Sequence, residues 1–382
     1  MDATILHSGF DGLKFTIQSD IPTELRSELA DAKQHAKKTH SDCLLEFGKI
    51  TLNVTNKGAR GFTADTGDHG AIWLFQDPED PILNNPTITV DFRAFGLATG
   101  GLEGAEQHFR DCMDAFGIKY VETQLRVTRV DFAVDFLAPW FEPDREALVV
   151  PPGTKNTEYT GISETATVSS GSRVTSLRAG AVVNRQIAIY DKRAEIIQHN
   201  KLGWLTIWNA ALKAKGMPPL DLNECATSQV WRFEMRLGSK QLRNRFKMQN
   251  WQDVQNSIGD AFADALRRIR YCRPTPDSNR ARWPVHRLWR QFENVIGNDL
   301  LHNCAGVLPS EVIDANRMAK MRELDAQLSG LFITRAAISG VSADDFDEFM
   351  ESHVEALMRV VREHPVLVEE RIAKAGARYR WR

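Results

Sequence analysis

The sequence predicts an α+β fold, in which a central antiparallel or mixed sheet carries helices on one face and precedes an α-helical C-terminal region. Segments before residue 240 alternate apolar and polar side chains with the period of two that marks a half-buried strand. Beyond about residue 240, apolar residues recur only at helical spacing. The chain is 42% hydrophobic and 26% charged, as in an ordinary globular protein. We therefore expect a sheet-containing domain over residues 1–245 and a helical region over 246–382.

The first part of the chain is predicted to contain most of the strands. Pro22 near the start and Lys37 and Lys38 near the end delimit the first helix. Turn residues such as Asn56-Lys57-Gly58 separate short alternating segments. In order, the expected elements are a strand at 10–18, a helix at 22–38, strands at 44–55, 71–76 and 87–95, a helix at 102–116 and a strand at 125–137.

The second part begins with four prolines between residues 139 and 152, followed by a Ser/Thr/Gly-rich span at 153–176 that predicts loop and hairpin rather than core. The expected elements are then strands at 174–179 and 185–191, helices at 192–199 and 204–215, a strand at 229–237, and helices at 250–268, 284–297, 309–328 and 343–373. The order strand–helix–strand occurs twice, and two such units side by side would give a mixed sheet.

Composition excludes several classes of protein. No run of about 18 apolar residues is present, so we expect no membrane span. The N-terminal stretch lacks the basic start and apolar centre of a secretory signal. The five cysteines are odd in number and contain no CxxC pair, which argues against a disulfide framework and a zinc ribbon (Cys43, Cys112, Cys225, Cys272 and Cys304). A cytoplasmic location is the expectation that follows.

The net charge of −2 hides an uneven distribution. Residues 229–290 contain fourteen Lys and Arg against five Asp and Glu, whereas residues 341–370 contain nine acidic residues against two arginines. A basic block in a near-neutral chain suggests a surface for a polyanion. A solvated helical face would explain the same block, and the two explanations are equally favoured by composition alone.

The strand at 125–137 has one apolar face and one charged face. The apolar face carries Thr128, Val130, Phe132, Val134 and Phe136, and the other carries Arg129, Asp131, Ala133 and Asp135. Two carboxylates four residues apart lie about 13 Å apart along a strand. Binding of one ion by both would therefore need a twist or a ligand from a neighbouring strand.

Three other predicted strands repeat this division between an apolar and a polar face. Their polar positions are Asp91 and Arg93 in the first, Tyr190 with Lys192 just beyond it in the second, and Arg232, Glu234 and Arg236 in the third. A solvated sheet face is the simpler explanation, but such faces usually carry Thr, Ser, Lys and Gln. The concentration of acids and arginines favours a functional face.

The residue types on this face are those of phosphoryl transfer. Carboxylates suit a hard cation such as Mg²⁺ or Mn²⁺, and arginines suit phosphate. Among five tyrosines, Tyr190 alone lies at a predicted strand-to-helix junction with a lysine, Lys192, two residues on. Lys192 could lower the pKa of the phenol or bind the phosphate, which makes Tyr190 a candidate nucleophile. A tyrosine with a satisfied hydroxyl is the alternative.

Motifs of other chemistries are absent from the sequence. It contains no GxxxxGK[ST] phosphate loop, no HExxH zinc motif and no GxSxG nucleophile turn. It also contains no His-x-His pair, which many tyrosine-dependent DNA nickases use to hold their metal ion.

Three segments resemble a known family: RVDFAVDF at 129–136, IYDKRAE at 189–195 and WRFEMRLGSKQL at 231–242. In this order they are similar to the rolling-circle replication initiators of the Rep_trans type, a group that includes plasmid and filamentous-phage initiators and related conjugative relaxases. Residues 267–289 also resemble phage and mobile-element members, so that the resemblance covers roughly residues 45–290. No resemblance is found for the tail at 291–382.

The resemblance implies a metal-dependent enzyme that nicks and religates one DNA strand, with a fold related to the His-hydrophobic-His nucleases but without their histidine pair. Tyr190 would attack the strand and keep the 5′-phosphate. Asp131, Asp135 and Glu234 would bind Mg²⁺ or Mn²⁺ in place of the histidines, with Lys192, Glu195 and Arg232 as helpers.

The basic block 229–290 is consistent with DNA contacts through phosphates and base stacking. The residues expected to bind DNA are Arg129, Arg236, Lys240, Arg243, Arg280 and Arg282. For Trp283 and Trp289, core packing is the better explanation. Two alternatives stay open: a conjugative relaxase with the same chemistry, and a non-catalytic DNA-binding repressor. The family leads us to expect a recruited helicase, and the helices at 309–328 and 343–373 suit a helicase, homodimer or intrachain contact equally well.

Overall fold

A computed structural model describes residues 3–58, 60–77, 85–151, 165–170, 173–298, 300, 305, 307–363 and 365–378. The strands are β1 (Thr4–Ile17), β2 (Cys43–Phe47), β3 (Ile50–Val54), β4 (Gly61–Asp65), β5 (Ala71–Gln76), β6 (Ile88–Phe92), β7 (Leu125–Leu137), β8 (Leu148–Val149), β9 (Thr165–Ser170), β10 (Arg173–Gly180), β11 (Arg185–Asp191), β12 (Val230–Gly238) and β13 (Arg270–Tyr271). The helices are α1 (Thr23–Thr39), α2 (Ala94–Ala115), α3 (Lys192–Gln198), α4 (Gly203–Ala214), α5 (Cys225–Ser228), α6 (Trp251–Arg268), α7 (Arg287–Gly297), α8 (Pro309–Ile338), α9 (Phe346–Glu363) and α10 (Pro365–Arg378).

Eleven strands form one sheet in the order β2-β3-β4-β5-β6-β1-β7-β12-β11-β10-β9, and β8 pairs separately with β13. Every pairing in the described part of this sheet is antiparallel. The α+β class, the large sheet and the helical C-terminal region are confirmed. The mixed alternative is wrong because β1 lies between β6 and β7, and because β11 and β12 pair directly in antiparallel register.

The predicted boundaries hold best where alternation is strong. The spans of β5, β7 and β11 agree with the sequence prediction. The single strand expected at 44–55 is a hairpin of β2 and β3, because Gly48 adopts a φ of 58° between them. The expectation of helices alone beyond residue 240 misses the two-residue strand β13. The loop and hairpin expected at 153–176 lie partly outside the described residues, and in the described part β9 and β10 form a hairpin. Cys304 also lies outside the described residues.

Two of the predicted helices differ in extent. The helix α2 starts at Ala94 rather than Leu102, and Gly101 is non-helical within it, so the expected start coincides with the second half of a kinked helix. The helix expected at 343–373 is two helices, because Pro365 begins α10 and lacks the amide that would continue α9.

The centre of the sheet is covered on both faces. On the apolar face, Phe132 of β7 packs against Phe262 of α6, and Phe233 of β12 packs against Trp289 of α7. The predicted packing of helices on the apolar face is therefore confirmed. In addition, α4 covers part of the polar face, where its Trp204 ring lies 4.2 Å from the guanidinium of Arg232. The polar side chains at the sheet centre are consequently buried rather than solvated.

Among the residues that the structure describes, no helix combines the length and the apolar character needed to cross a bilayer.

Candidate active site

The polar face of β1, β7, β11 and β12 carries a cluster of ionisable side chains, which we call the polar-face cluster. Side chains two residues apart share a face of a strand, and the antiparallel register places Arg232 opposite both Asp135 and Tyr190. The register also sets Arg236 opposite Asp131. The cluster consists of His7, Asp11, Arg129, Asp131, Asp135, Tyr190, Lys192, Arg232, Glu234 and Arg236.

Arg232 is the fully buried centre of one half of the cluster. Its Nε and Nη2 atoms donate to the two oxygens of Asp135 at 2.6 and 2.8 Å, and its Nη1 atom donates to Asp11 at 2.5 Å. Trp208 of α4 donates its indole N–H to the same Asp135 carboxylate at 2.8 Å. All three nitrogens of the guanidinium group thus already serve protein carboxylates.

The pKa values in this half are set by these pairs. Burial would raise the pKa of Asp135, but the Arg232 charge outweighs it and holds that pKa below its ordinary value. Burial and then Arg232 act in the same opposed way on Asp11, whose pKa is also lowered. Both carboxylates are therefore ionised and paired with a single arginine.

His7 completes this half as a neutral ring. It is buried with its edge towards Trp204 at a centroid distance of 5.2 Å, and burial lowers its pKa to about 4. Neither ring nitrogen has a hydrogen-bond partner among the residues that the structure describes.

The other half of the cluster consists of Arg129, Asp131, Glu234 and Arg236. Tyr190 lies between the two halves, because it stands opposite Arg232 and is bonded to Glu234. Its hydroxyl donates to the Oε2 atom of Glu234 at 3.2 Å. Arg236 holds the same carboxylate with two hydrogen bonds, from Nε to Oε1 at 2.6 Å and from Nη2 to Oε2 at 3.1 Å. Burial, and then the charge of Glu234, raise the pKa of Tyr190 well above its ordinary value. The phenol is therefore protonated and has a carboxylate in place to accept its proton.

Lys192 lies at the start of α3, directly beyond Tyr190. Its ammonium donates to Glu195 at 2.5 Å and sits 5.7 Å from the centre of the Tyr190 ring. Burial and the charge of Arg232 lower the pKa of Lys192. The structure thus places Lys192 beside Tyr190 and pairs it with Glu195, and their roles as helpers stay a prediction.

Asp131 is the least satisfied member of the other half. It forms an ion pair with Arg129, yet neither carboxylate oxygen receives a well-aligned hydrogen bond within the described part of the chain. Burial, and then the charge of Glu234, raise its pKa to about 7. Among the described residues, Asp131 is thus a buried carboxyl group held by its ion pair with Arg129 alone.

The three predicted metal ligands do not form one site. Asp135 and Asp131 stand opposite Arg232 and Arg236, four residues apart along β7. Arg232 and Trp208 take up the oxygens of Asp135, and Arg236 and Tyr190 take up those of Glu234. Within the described residues, no group of three or more His, Cys, Asp and Glu side chains is arranged to hold a metal ion. Of the three predicted ligands, Asp131 has the fewest partners among the described residues, namely its ion pair with Arg129.

The predicted DNA-binding residues separate into three places. Arg129 and Arg236 belong to the polar-face cluster and are partly exposed. Lys240 and Arg243 are exposed on the π-helical segment 240–245 that follows β12. Arg280 instead donates to the carbonyl oxygens of Glu146 and Leu148, so it ties its loop to β8. Arg282, on the same short turn, is largely exposed.

The site also contains residues that the sequence pattern does not indicate, namely Asp11, His7 and the two tryptophans of α4. Asp11 occupies a β-bulge, between the register pairs Phe10–Phe132 and Gly12–Asp131. The bulge turns Asp11 towards Arg232. Glycines inside a strand pattern are the signal that predicts a bulge, and Gly9 and Gly12 flank this position.

Gly12 makes room for the Asp131 carboxylate. A Cβ atom at residue 12 would lie 2.6 Å from the Oδ2 atom of Asp131. We expect Gly12→Ala to lower the free energy of unfolding by about 1–3 kcal/mol, because overpacking forces a buried group to move. A urea titration measures this change. The control is Gly259→Ala, where a Cβ meets nothing within 4 Å, and an equal loss in both variants would contradict the account.

Comparisons with known proteins identify no family for the chain. No family model matches it, and no curated protein matches it in sequence. Among solved structures, it is similar to the rolling circle replication initiator protein from Geobacillus stearothermophilus, with a TM-score of 0.40 and 16% identity over 78% of this chain and 99% of that one. A similarity at this level assigns neither a family nor an activity.

Proposed function

We propose that this chain is a tyrosine-dependent DNA nicking–closing enzyme that initiates rolling-circle replication. The observation that carries the proposal is the hydrogen bond from Tyr190 to Glu234, with Arg236 fixing the carboxylate. A nucleophile bonded to a base that a third group orients is the general arrangement of nucleophilic catalysis. A conjugative relaxase would use the same chemistry on a different DNA site.

The proposed reaction begins when Glu234 accepts the phenolic proton of Tyr190. The phenolate oxygen attacks a backbone phosphorus, a P–O bond to the phenol forms, and the bond to the 3′-oxygen breaks. The DNA is then held by its 5′-phosphate, and the released 3′-oxygen takes the proton back from Glu234 to become the 3′-hydroxyl that primes synthesis. Attack by that hydroxyl on the phosphotyrosine reverses the steps and closes the strand.

The cations around Tyr190 suit the charge on the reacting phosphate. Lys192 is close to the ring, and Arg129 and Arg236 are the partly exposed guanidinium groups of the cluster. Arginine binds phosphate through two parallel hydrogen bonds, which favours positioning of the strand. Arg232 is fully buried behind them and bound to Asp135 and Asp11. Arg236 is itself held by Glu234 and Gln186, but its side chain is 19% exposed.

A requirement for Mg²⁺ or Mn²⁺ stays a prediction. Mg²⁺ is commonly bound by one or two carboxylates together with substrate phosphates. Asp131 is the residue here that would hold it, and the ion would neutralise charge on the scissile phosphate. Nicking with and without Mn²⁺, and after EDTA, tests this requirement, and binding of DNA should survive EDTA.

Glu234→Gln is expected to lower the nicking rate by about 10²–10⁴-fold, because loss of a general base removes an effect of that size. The amide keeps the shape and can still accept a bond from Arg236, so the fold should persist. Rates are measured on a single-stranded oligonucleotide containing the cleavage site. Glu122→Gln, on an exposed turn, is the control, and full activity in Glu234→Gln would remove Glu234 from the mechanism.

A non-catalytic DNA-binding protein is the second candidate function. It is favoured by the closed half of the cluster, in which Arg232 and Asp135 are fully buried and paired and Trp204 covers them. Such a network can serve stability alone. A binding protein would keep its whole function in Tyr190→Phe, whereas an enzyme of the proposed type would lose cleavage and keep binding.

A further inference from the structure

A second concentration of charge surrounds Asp264 in the last turns of α6. The Asp264 carboxylate is buried and lies within ion-pair distance of four arginines. The nitrogen–oxygen distances are 3.3 Å for Arg185, 2.7 Å for Arg245, 3.9 Å for Arg267 and 3.1 Å for Arg268. Within the described residues Asp264 is their only carboxylate partner, so four positive charges share one negative charge. We call these four residues the arginine cluster.

The four arginines of the cluster come from three different elements. Arg267 and Arg268 end α6, where cations complement the negative end of the helix dipole. Arg185 and Arg245 come from other elements, the start of β11 and the segment 240–245. Burial, and then the neighbouring Arg268, lower the pKa of Arg185, as expected where positive charge is uncompensated.

Three of the four guanidinium groups remain accessible. The side chains of Arg245, Arg267 and Arg268 are 42%, 73% and 40% exposed. The buried carboxylate orients Arg245 and Arg268 from below while leaving their outer edges to solvent. Such an arrangement suits the binding of a phosphate group from solvent, because a guanidinium group binds phosphate best when it is already positioned.

Hydrogen bonds fix the surrounding surface. The hairpin tip before Arg185 and the segment 240–245 are joined by the bond from the Lys240 amide to the Val183 carbonyl at 3.0 Å and by a bond from Gln241 to Asn184. Lys240 and Arg243 are exposed and lie on the same segment as Arg245. The arginine cluster therefore continues into an exposed basic strip rather than ending at α6.

The arginine cluster does not share a face of the sheet with Tyr190. Arg185 and Tyr190 are five residues apart on β11, about 17 Å at the rise of a strand. An odd separation also places their side chains on opposite faces of the sheet. The cluster is thus outside the candidate active site, on the opposite face of the sheet.

We propose that the arginine cluster, with Lys240 and Arg243, binds the phosphate backbone of duplex DNA beside the strand that Tyr190 cuts. Placing the duplex next to a cut strand rests on the proposed function. The contacts proposed here are to phosphate, and such contacts position the DNA without reading its sequence. It holds the double-stranded flank while the polar-face cluster takes the single strand.

The test measures binding of a labelled 30-base-pair duplex of mixed sequence between 50 and 200 mM NaCl by fluorescence anisotropy. Arg245→Gln/Arg268→Gln leaves the ion pair of Arg185 with Asp264 in place. Removing two phosphate contacts should reduce the slope of log affinity against log salt by about 1.8. Arg267→Glu, at the most exposed position, is the second variant, and it should reduce the slope by at least about 0.9. Arg322→Gln/Arg335→Gln on α8 is the control of equal charge.

The outcomes separate this proposal from the proposed function. Unchanged slopes in both cluster variants, or a loss equal to that of the α8 control, would overturn the duplex surface. Weakened binding of single-stranded DNA with normal duplex binding would overturn it as well. Reduced duplex slopes support it, whether or not the wild-type chain cuts DNA. Cleavage of a single-stranded oligonucleotide, measured in parallel, should be the same in the cluster variants and the wild type.

Discussion

Replacing Tyr190 with phenylalanine is expected to lower strand nicking by at least about a thousandfold, since loss of a catalytic nucleophile has effects of this size or larger. The substitution removes one oxygen atom and leaves the ring in place. The hydroxyl donates only to Glu234 among the described residues, and Arg236 continues to hold that carboxylate. The cost in stability should therefore be about 1 kcal/mol, the value of one hydrogen bond.

The control for this variant is Tyr120→Phe. Tyr120 is a partly exposed tyrosine whose ring packs on Phe109, away from the polar-face cluster. Nicking of a supercoiled plasmid and binding of the same DNA are measured for both variants. Full nicking by Tyr190→Phe would retain a nuclease but reject this tyrosine, whereas equal losses in the two variants would indicate a general effect on folding.

Arg232→Met is expected to lower the free energy of unfolding by about 3–5 kcal/mol. Removing one partner of a buried ion pair leaves the other charge buried and uncompensated. Here two carboxylates would be left, since Arg232 serves both Asp135 and Asp11. The effect on stability should therefore be among the largest of any single substitution in the sheet.

A double variant distinguishes the effect of an unpaired buried charge from the effect of lost packing at Arg232. In Arg232→Met/Asp135→Leu the unpaired charge at Asp135 is gone, and much of the lost stability should return, because buried ion pairs are often replaceable by apolar residues. The surface pair Arg110–Glu106 provides a control, and Arg110→Met should change stability by less than about 1 kcal/mol. Wild-type stability of Arg232→Met in a urea titration would show that the pair does not hold the sheet centre.

Much of the fold follows from alternation in the sequence. In β7, β11 and β12 the apolar face belongs to one continuous core, so each residue type is determined by its side of the sheet. The turn at Gly48 was less visible, because the segments before and after it are both apolar. The sheet order could not be predicted, since it depends on β1 returning between β6 and β7, a long-range pairing without a local signal.

The candidate site was predictable only in part. Tyr190, Glu234 and Arg236 were named from the sequence because each lies on the polar face of a recognisable strand. Asp11 could not be placed from the sequence, because a β-bulge changes the face of the sheet on which the following residues lie. The covering of Arg232 by Trp204 could not be predicted either, since an amphipathic helix does not reveal which sheet face it packs on. Hence the sequence predicted an open charged face, and the structure has a largely buried one.

The most direct test of the account is to identify the residue that becomes attached to DNA. The protein is incubated with supercoiled plasmid carrying its candidate origin, with and without Mn²⁺, and its peptides are analysed by mass spectrometry after nuclease digestion. We expect a nucleotide joined through its 5′-phosphate to the peptide that contains Tyr190, and no such product from Tyr190→Phe. A nick with the phosphate on another residue, or tight binding without any nick, would contradict the proposed mechanism.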